Sequence, residues 1–377
     1  MYQKPEHKAK QATPKPGNRS QDLLRIDRRS LVVNSTEIDP NNIDLMLWDF
    51  DGTIVETEEH HMASYLKAAE ELFEIQFSEK AISVLRETAK GVNEIHSAMT
   101  IISYAFRHWR ELGIDRNRLL ALHALPEISN LIGQDLNIND LMPNLLNRYP
   151  NDITDNLSRR DIDKQTNTSF SMRLCRYILD IRHRFFTDAL DTNPRKIRPG
   201  VETILNLAKM YRIQQGLVTG SSFRIVDSVL TRFDLQESIN PKLRFFPRDP
   251  RPLSAHELKD GHEPEAYSMQ HAKPNPDCYV LALHKAEVDS SRALVFENSA
   301  SGVLAAVRAG IRVIASPDQD FFRDSDPLKN MRGLERKCIE AFDKHEIVGK
   351  ELVTIIPDFS CIRFNGSASY KSASTGS

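Results

Sequence analysis

The run Leu45-Met-Leu-Trp48 leads directly into Asp49-Phe-Asp51-Gly52-Thr53. An apolar run of this length, stopped by glycine, predicts a buried strand. Both acids then sit at its carboxyl end, which is where open α/β sheets bind ligands. Being two residues apart, they leave an extended backbone in roughly the same direction. Two convergent carboxylates want a cation between them, or a division of labour into nucleophile and acid/base. A plain Asx turn at the end of the strand is the simpler alternative for such a sequence.

The rest of the chain supplies partners for that strand. Glu58 to Phe73 has Met62, Leu66, Ala69 and Phe73 at helical spacing, and further helical segments follow at Ile82–Arg86, Ile95–Trp109, Arg118–Leu131 and Ser171–Ala189. No strand is expected before Ile213–Thr219, so the block after the first strand is predicted to be a helical lid. From there, strands are expected at Ile213–Thr219, Leu243–Phe246, Ala293–Phe296, Arg312–Ala315 and Leu352–Ile356, the last at an edge, with helices between them. Such alternation predicts an α/β fold: a Rossmann-like parallel sheet with helices on both faces. The expected division is a core of residues 41–54 and 196–361 and an all-helical cap of 55–195 with an extra insertion at about 107–168. A polar arm (1–40) and a Ser/Gly-rich tail (362–377) are expected to be disordered, and 249–270 to be an exposed insertion.

Composition narrows the partners. A net charge of −2 gives no global field toward nucleic acid or a membrane, so neither is expected as a partner. The four cysteines lie far apart without a CxxC pair, which fits a reducing compartment rather than a disulfide framework or a zinc site. No apolar run approaches the roughly 20 residues that span a bilayer, and the start of the chain lacks the apolar core of a secretory signal. The cytoplasm is the expected location, with a monomer favoured over an oligomer.

Polar groups gather at four predicted strand ends and loops: Asp49 and Asp51; Thr219, Gly220 and Ser221; Lys273; and Glu297 with Asn298. In a parallel sheet these ends share one edge. Acids, a hydroxyl with free amides and an ammonium suit a phosphoryl group held by Mg²⁺, which takes oxygen ligands, and amides at a helix start favour anions.

The order Asp-Phe-Asp-Gly-Thr, Leu-Val-Thr-Gly-Ser, Lys-Pro-Asn-Pro-Asp and Phe-Glu-Asn-Ser-Ala-Ser-Gly resembles the four motifs of the haloacid-dehalogenase superfamily. Glu-Thr-Glu-Glu-His-His (56–61), Lys90-Gly-Val and Arg-Pro-Gly (198–200) are similar to its β-phosphoglucomutase-like and sugar-phosphatase branch. The resemblance implies Asp49 as the nucleophile and Asp51 as the acid/base, its carbonyl also binding metal. It further implies Thr219 and Lys273 as phosphoryl-binding groups, with Gly220, Ser221, His61 and Lys90 near the substrate. Asp49, Asp51, Glu297 and Asn298 would complete a Mg²⁺ shell, and the partner would be a small phosphorylated metabolite. Asn298 departs from the family's two acids and withdraws one charge from that shell. Asn93, Glu94 and Thr187 stand where a mutase would place basic groups or their neighbours, so the expected activity is a Mg²⁺-dependent phosphatase. A phosphosugar mutase and a regulatory or scaffolding protein with the same fold are the alternatives. The charge-rich stretch Arg173–Arg184 is expected to be a solvated face.

Overall fold

The computed structural model describes residues 30–88, 94–115, 118, 170–192, 196–247, 265–267, 272–318 and 324–365. Seven parallel strands form the main sheet: β2 (Leu45–Trp48), β3 (Gln214–Val218), β4 (Arg244–Pro247), β5 (Glu265–Tyr267), β6 (Ala293–Glu297), β7 (Arg312–Ala315) and β8 (Val353–Ile355). Their order is β5-β4-β3-β2-β6-β7-β8, so β2 lies in the middle with β3 and β6 as neighbours. Its four residues are buried, which explains why the run reads as continuously apolar rather than alternating.

Alternate side chains divide between two cores. Leu45, Leu47, Val218, Val295 and Val313 face one side, packing on α7 (Asp277–Ala286), α8 (Ala300–Arg308) and α9 (Pro327–Lys344). Met46, Trp48, Leu217, Phe296 and Ile314 face the other, against α5 (Val201–Met210) and α6 (Phe223–Arg232). Trp48 stacks on Phe296 with ring centroids 4.1 Å apart. A third core belongs to helices alone: α1 (Glu58–Phe73), α2 (Glu79–Thr88), α3 (Glu94–Arg107) and α4 (Phe170–Thr192) bury Tyr65, Phe73, Ile101 and Ile178 together. All described elements between β2 and β3 are helices, as the sequence predicts.

Three expectations are corrected. The exposed insertion at 249–270 contributes an edge strand, Glu265–Tyr267, paired with β4 in the register Phe246↔Ala266. The arm is not disordered throughout: Leu31 is buried, and Val33 N donates to Ile355 O at 2.9 Å while Ile355 N donates to Leu31 O at 2.8 Å. That segment satisfies the outer edge of β8, whose main-chain groups would otherwise need water. Thr36–Ile38 (β1) and Ile362–Phe364 (β9) pair in a separate parallel ribbon, so the first residues of the expected tail are also built in. Of the expected helix at Arg118–Leu131, Arg118 is described, and the rest lies outside the described residues.

Candidate active site

Asp49 leaves the end of β2 with its amide still bound to Phe296 O at 3.0 Å. Lys273 Nζ lies 2.7 Å from Asp49 Oδ1 and 2.6 Å from Glu297 Oε1, while Thr53 Oγ1 donates to Asp49 Oδ2 at 3.2 Å. Burial pushes the Asp49 carboxyl above its ordinary range and the Glu297 charge adds to this, against the pull of Lys273. Burial disfavours the Lys273 ammonium in turn, but Asp49 and Glu297 outweigh it and raise Lys273 above the usual lysine range.

Glu297 is fully engaged. Oε1 also accepts from Tyr279 OH at 3.0 Å, and Oε2 accepts from Asn298 N (3.1 Å), Ser299 N (3.2 Å) and Ser299 Oγ (3.1 Å). Ser299 Oγ in turn accepts from Gly302 N at 3.1 Å, capping α8. A Cβ at Gly302 would overlap the Glu297 carboxylate. The Ser-x-x-Gly spacing therefore turns a helix N-terminus toward a buried acid and clears room for it. This geometry ties Glu297, expected from the sequence as a metal ligand, to Lys273, Tyr279 and the start of α8.

Asp51 is held from two sides. Thr57 Oγ1 and His61 Nε2 each lie 2.5 Å from its Oδ1, and Ser221 Oγ donates to Oδ2. Thr57 and His61 are four residues apart at the start of α1, so they share one face. Arg182, from α4, donates to His61 Nδ1 and lies over the Tyr65 ring at 4.1 Å. With Nδ1 accepting, the proton of a neutral imidazole sits on Nε2 and points at Asp51. Burial alone would raise the Asp51 carboxyl; His61 and the hydrogen bonds from Ser221 and Thr57 hold it down at about 2. Three donors thus converge on the Asp51 carboxylate.

Beside these acids the main chain turns at Gly52 with φ of 69°, a conformation that favours glycine. A Cβ there would overlap the Asn298 amide nitrogen and the Asp318 carboxylate. Asn298 Nδ2 donates to Asp51 O at 3.0 Å. Arg198, 1% exposed, bridges Gly52 O (2.5 Å), Ser316 O (3.2 Å), Ser316 Oγ (2.7 Å) and Pro317 O (2.9 Å). Among the described residues no three His, Cys, Asp or Glu side chains converge as a closed metal site. A cation here could instead take the Asp49 carboxylate, the Asp51 carbonyl, the Asn298 amide oxygen and water. An oxygen-only set with a side-chain-free wall at Gly52 fits a small hard cation such as Mg²⁺.

A family model described as haloacid dehalogenase-like hydrolase matches residues 43–310. The chain belongs to that family. The phosphorylated carbohydrates phosphatase of Thermotoga maritima is 30% identical to this chain over 133 residues, 35% of this chain and 50% of that protein. Hexitol phosphatase B of Escherichia coli K12 is 26% identical over 130 residues, 34% and 49% of the two chains. The chain therefore spans about half the length of these curated relatives. Among solved structures, that of CbbY from Rhodobacter sphaeroides in complex with phosphate is 19% identical, with a TM-score of 0.42 over 75% of this chain and 90% of that one.

Of the other expected site residues, Thr219 is buried at the end of β3 and its Oγ1 accepts from Ser221 N at 3.0 Å. Gly220 follows it in the turn that brings Ser221 onto Asp51. Lys90 and Asn93 lie outside the described residues. Thr187 turns its hydroxyl onto its own helix, donating to His183 O at 3.0 Å. Arg182 corrects the expectation of a solvated face across Arg173–Arg184: it is 1% exposed. It falls in the buried stripe Leu174, Ile178, Arg182, Phe186 at four-residue spacing, a signal readable in the sequence. Thr53, Thr57 and Tyr279 were also missed; of these, Thr57 sits one turn before His61 and was open to the same argument.

Proposed function

We infer that this hydrolase is a phosphatase for a small phosphorylated metabolite, a phosphorylated carbohydrate being the class that its relatives' names suggest. The observation that carries this is the Asp49 carboxylate seated on Lys273 at 2.7 Å, with Asp51 two residues on, held by Thr57, His61 and Ser221. Asp49 Oδ attacks phosphorus, and the alcohol leaves with a proton from Asp51. Asp51 must therefore take up a proton from solvent before this step, and Thr57, His61 or Ser221 must turn its hydrogen bond away from the carboxylate oxygen that receives it. Water then attacks the aspartyl-phosphate as Asp51 takes its proton, and the Asp49–phosphorus bond breaks. Lys273, shared with Asp49 and Glu297, offsets part of the charge of the equatorial oxygens. When bound by Asp49, the Asp51 carbonyl and Asn298, Mg²⁺ would supply further neutralisation of the phosphoryl oxygens.

The helices α1 to α4 form a cap in this reading, a module separate from the sheet, and it excludes water while Asp49 carries the phosphoryl group. His61, Thr57 and Arg182 reach the site from that side, and Ser221 reaches it from the sheet. The Thr187 hydroxyl, bound to its own helix, favours hydrolysis over mutase chemistry, which needs a second phosphate grip.

The test is phosphate release from a panel of sugar phosphates with and without Mg²⁺. Asp49→Asn should abolish release without loss of fold; release at the wild-type rate by that variant rejects the mechanism. A hexose 1-phosphate with trace bisphosphate should yield free phosphate, and accumulation of the 6-phosphate isomer would favour a mutase instead.

A further inference from the structure

The family's metal shell has an acid where this chain has Asn298, and the structure places another acid beside that amide. Glu297 pairs with Ala315 across β6 and β7, so Asn298 and the turn Ser316-Pro317-Asp318 leave the same edge on adjacent strands. Asp318 is 2% exposed, and its carboxylate and the Asn298 amide nitrogen flank Gly52 closely enough that one Cβ would overlap both. The same Asn298 nitrogen reaches Asp51 O, the carbonyl assigned to the cation above. A carboxylate therefore stands beside the amide that replaces one.

The turn that delivers Asp318 is also fixed. Arg198 holds Ser316 O, Ser316 Oγ and Pro317 O together with Gly52 O, tying the loop after β2 to the turn after β7. Ser316 Oγ further donates to Pro357 O at 3.0 Å, and Ser316 N to Glu297 O at 2.9 Å. A carboxylate on a turn braced at this many points is preorganised, as a cation ligand should be.

We propose that Asp318 is a ligand of the cation site, supplying beside Gly52 the carboxylate charge that Asn298 lacks. This rests on the phosphatase reading above and adds a residue to it. Mg²⁺ prefers few carboxylates, further oxygens and several waters. Asp49, Asp318, the Asp51 carbonyl and the Asn298 amide oxygen make such a set. Amide nitrogen and oxygen exchange by rotation about the side chain. The nitrogen now on Asp51 O gives way to the oxygen when a cation enters between them. Asn298→Asp then adds a third anion beside Asp318 and is nearly redundant.

The experiment measures Mn²⁺ binding to the full chain, as loss of the free-ion electron paramagnetic resonance signal, with Mg²⁺ as competitor and without substrate. Wild type should bind Mn²⁺ in a way that Asp49→Asn weakens. Asp318→Asn should weaken it ten-fold or more. Asn298→Asp should tighten it less than about three-fold on its own, but recover most of the loss in the Asp318→Asn background. A ten-fold or greater gain from Asn298→Asp alone overturns the proposal, and this arm stands even if Asp318→Asn does not fold. Unchanged Mn²⁺ affinity in a folded Asp318→Asn with a lowered Tm also overturns it, leaving Asp318 as a structural partner of the Arg198 turn. In either case Asp49-dependent binding leaves the phosphatase reading intact. No Mn²⁺ binding by wild type removes both this ligand and the metal-dependent mechanism.

Discussion

Lys273→Met keeps much of the side chain's length but removes the ammonium between Asp49 and Glu297. The two acids do not suffer equally. Glu297 keeps Tyr279 OH, two main-chain amides and Ser299 Oγ, whereas Asp49 keeps Thr53 Oγ1 at 3.2 Å. The charge left without compensation is therefore that of Asp49. Removing one partner of a buried ion pair costs about 3–5 kcal/mol, and that loss of unfolding free energy is expected at about pH 8 in metal-free buffer. The sign of its pH dependence follows from Asp49, whose carboxyl is already raised by burial and by Glu297. Without Lys273 it rises further. A carboxyl raised above its unfolded value of about 3.9 destabilises the fold while ionised, and the cost fades as pH falls toward that value. The gap between variant and wild type should therefore shrink from pH 8 toward pH 5. Urea unfolding at both pH values, followed by circular dichroism, measures it. Adding Asp49→Asn should recover most of the stability while leaving activity absent. A gap equal at both pH values, or no recovery in the double variant, would refute the account of a cation serving two acids.

Gly302→Ala drives a Cβ into the Glu297 carboxylate, so a loss of about 1–3 kcal/mol is expected; thermal melts test this, and phosphate release should fall with it as Lys273 loses its anchor. Arg182→Leu releases the His61 tautomer and relaxes its hold on Asp51, whose carboxyl then moves up from about 2. The basic limb of the kcat/KM profile, on which Asp51 loses the proton it gives to the leaving alcohol, should shift to higher pH, with Arg182→Lys partly restoring it; an unmoved limb separates Arg182 from the proton chemistry. Arg198→Met leaves the carbonyls of Gly52, Ser316 and Pro317 without their shared donor. Destabilisation of at least about 3 kcal/mol is expected from guanidinium-unfolding midpoints, since each buried acceptor left unmade costs roughly 1–3 kcal/mol.

The convergence of Asp49, Asp51, Lys273 and Glu297 was legible because parallel strands deliver their carboxyl ends to one edge, and strand-and-helix alternation is a strong pattern. Their division of tasks was not. Both Glu297 and Asn298 fit a metal ligand by residue type, and only the hydrogen bonds show Glu297 committed to Lys273, Tyr279 and a helix start. Arg182 is hidden in the sequence by the charges around it, yet it falls at four-residue spacing in an apolar stripe, and an arginine there carries more information than one in a charged run. Glu265–Tyr267 gives no apolar run to read, being three residues in polar surroundings, and its strand character comes from pairing with β4. Asp318 follows a proline two residues beyond β7 and belongs to no motif; adjacency to Asn298 exists only once β6 and β7 pair.

Charge balance ties these groups to the proposed chemistry. Asp49, Asp51, Glu297 and Asp318 are buried or nearly so, and Lys273, Arg182 and Arg198 stand among them as cations at low exposure. Acids exceed bases by one before a phosphate monoester, itself close to a dianion, arrives. Lys273 cannot serve the incoming phosphoryl group at full strength while it also holds Asp49 and Glu297 at 2.7 and 2.6 Å. Arg198 is spent on carbonyls of two loops, and Arg182 acts through His61. An anion could enter such a site only with a further positive charge, and a divalent cation beside Gly52 would reverse the excess. On this argument Asn298 is a concession that Asp318 offsets: a second acid in motif four together with Asp318 would leave the metal-free fold with one more buried negative charge to hold.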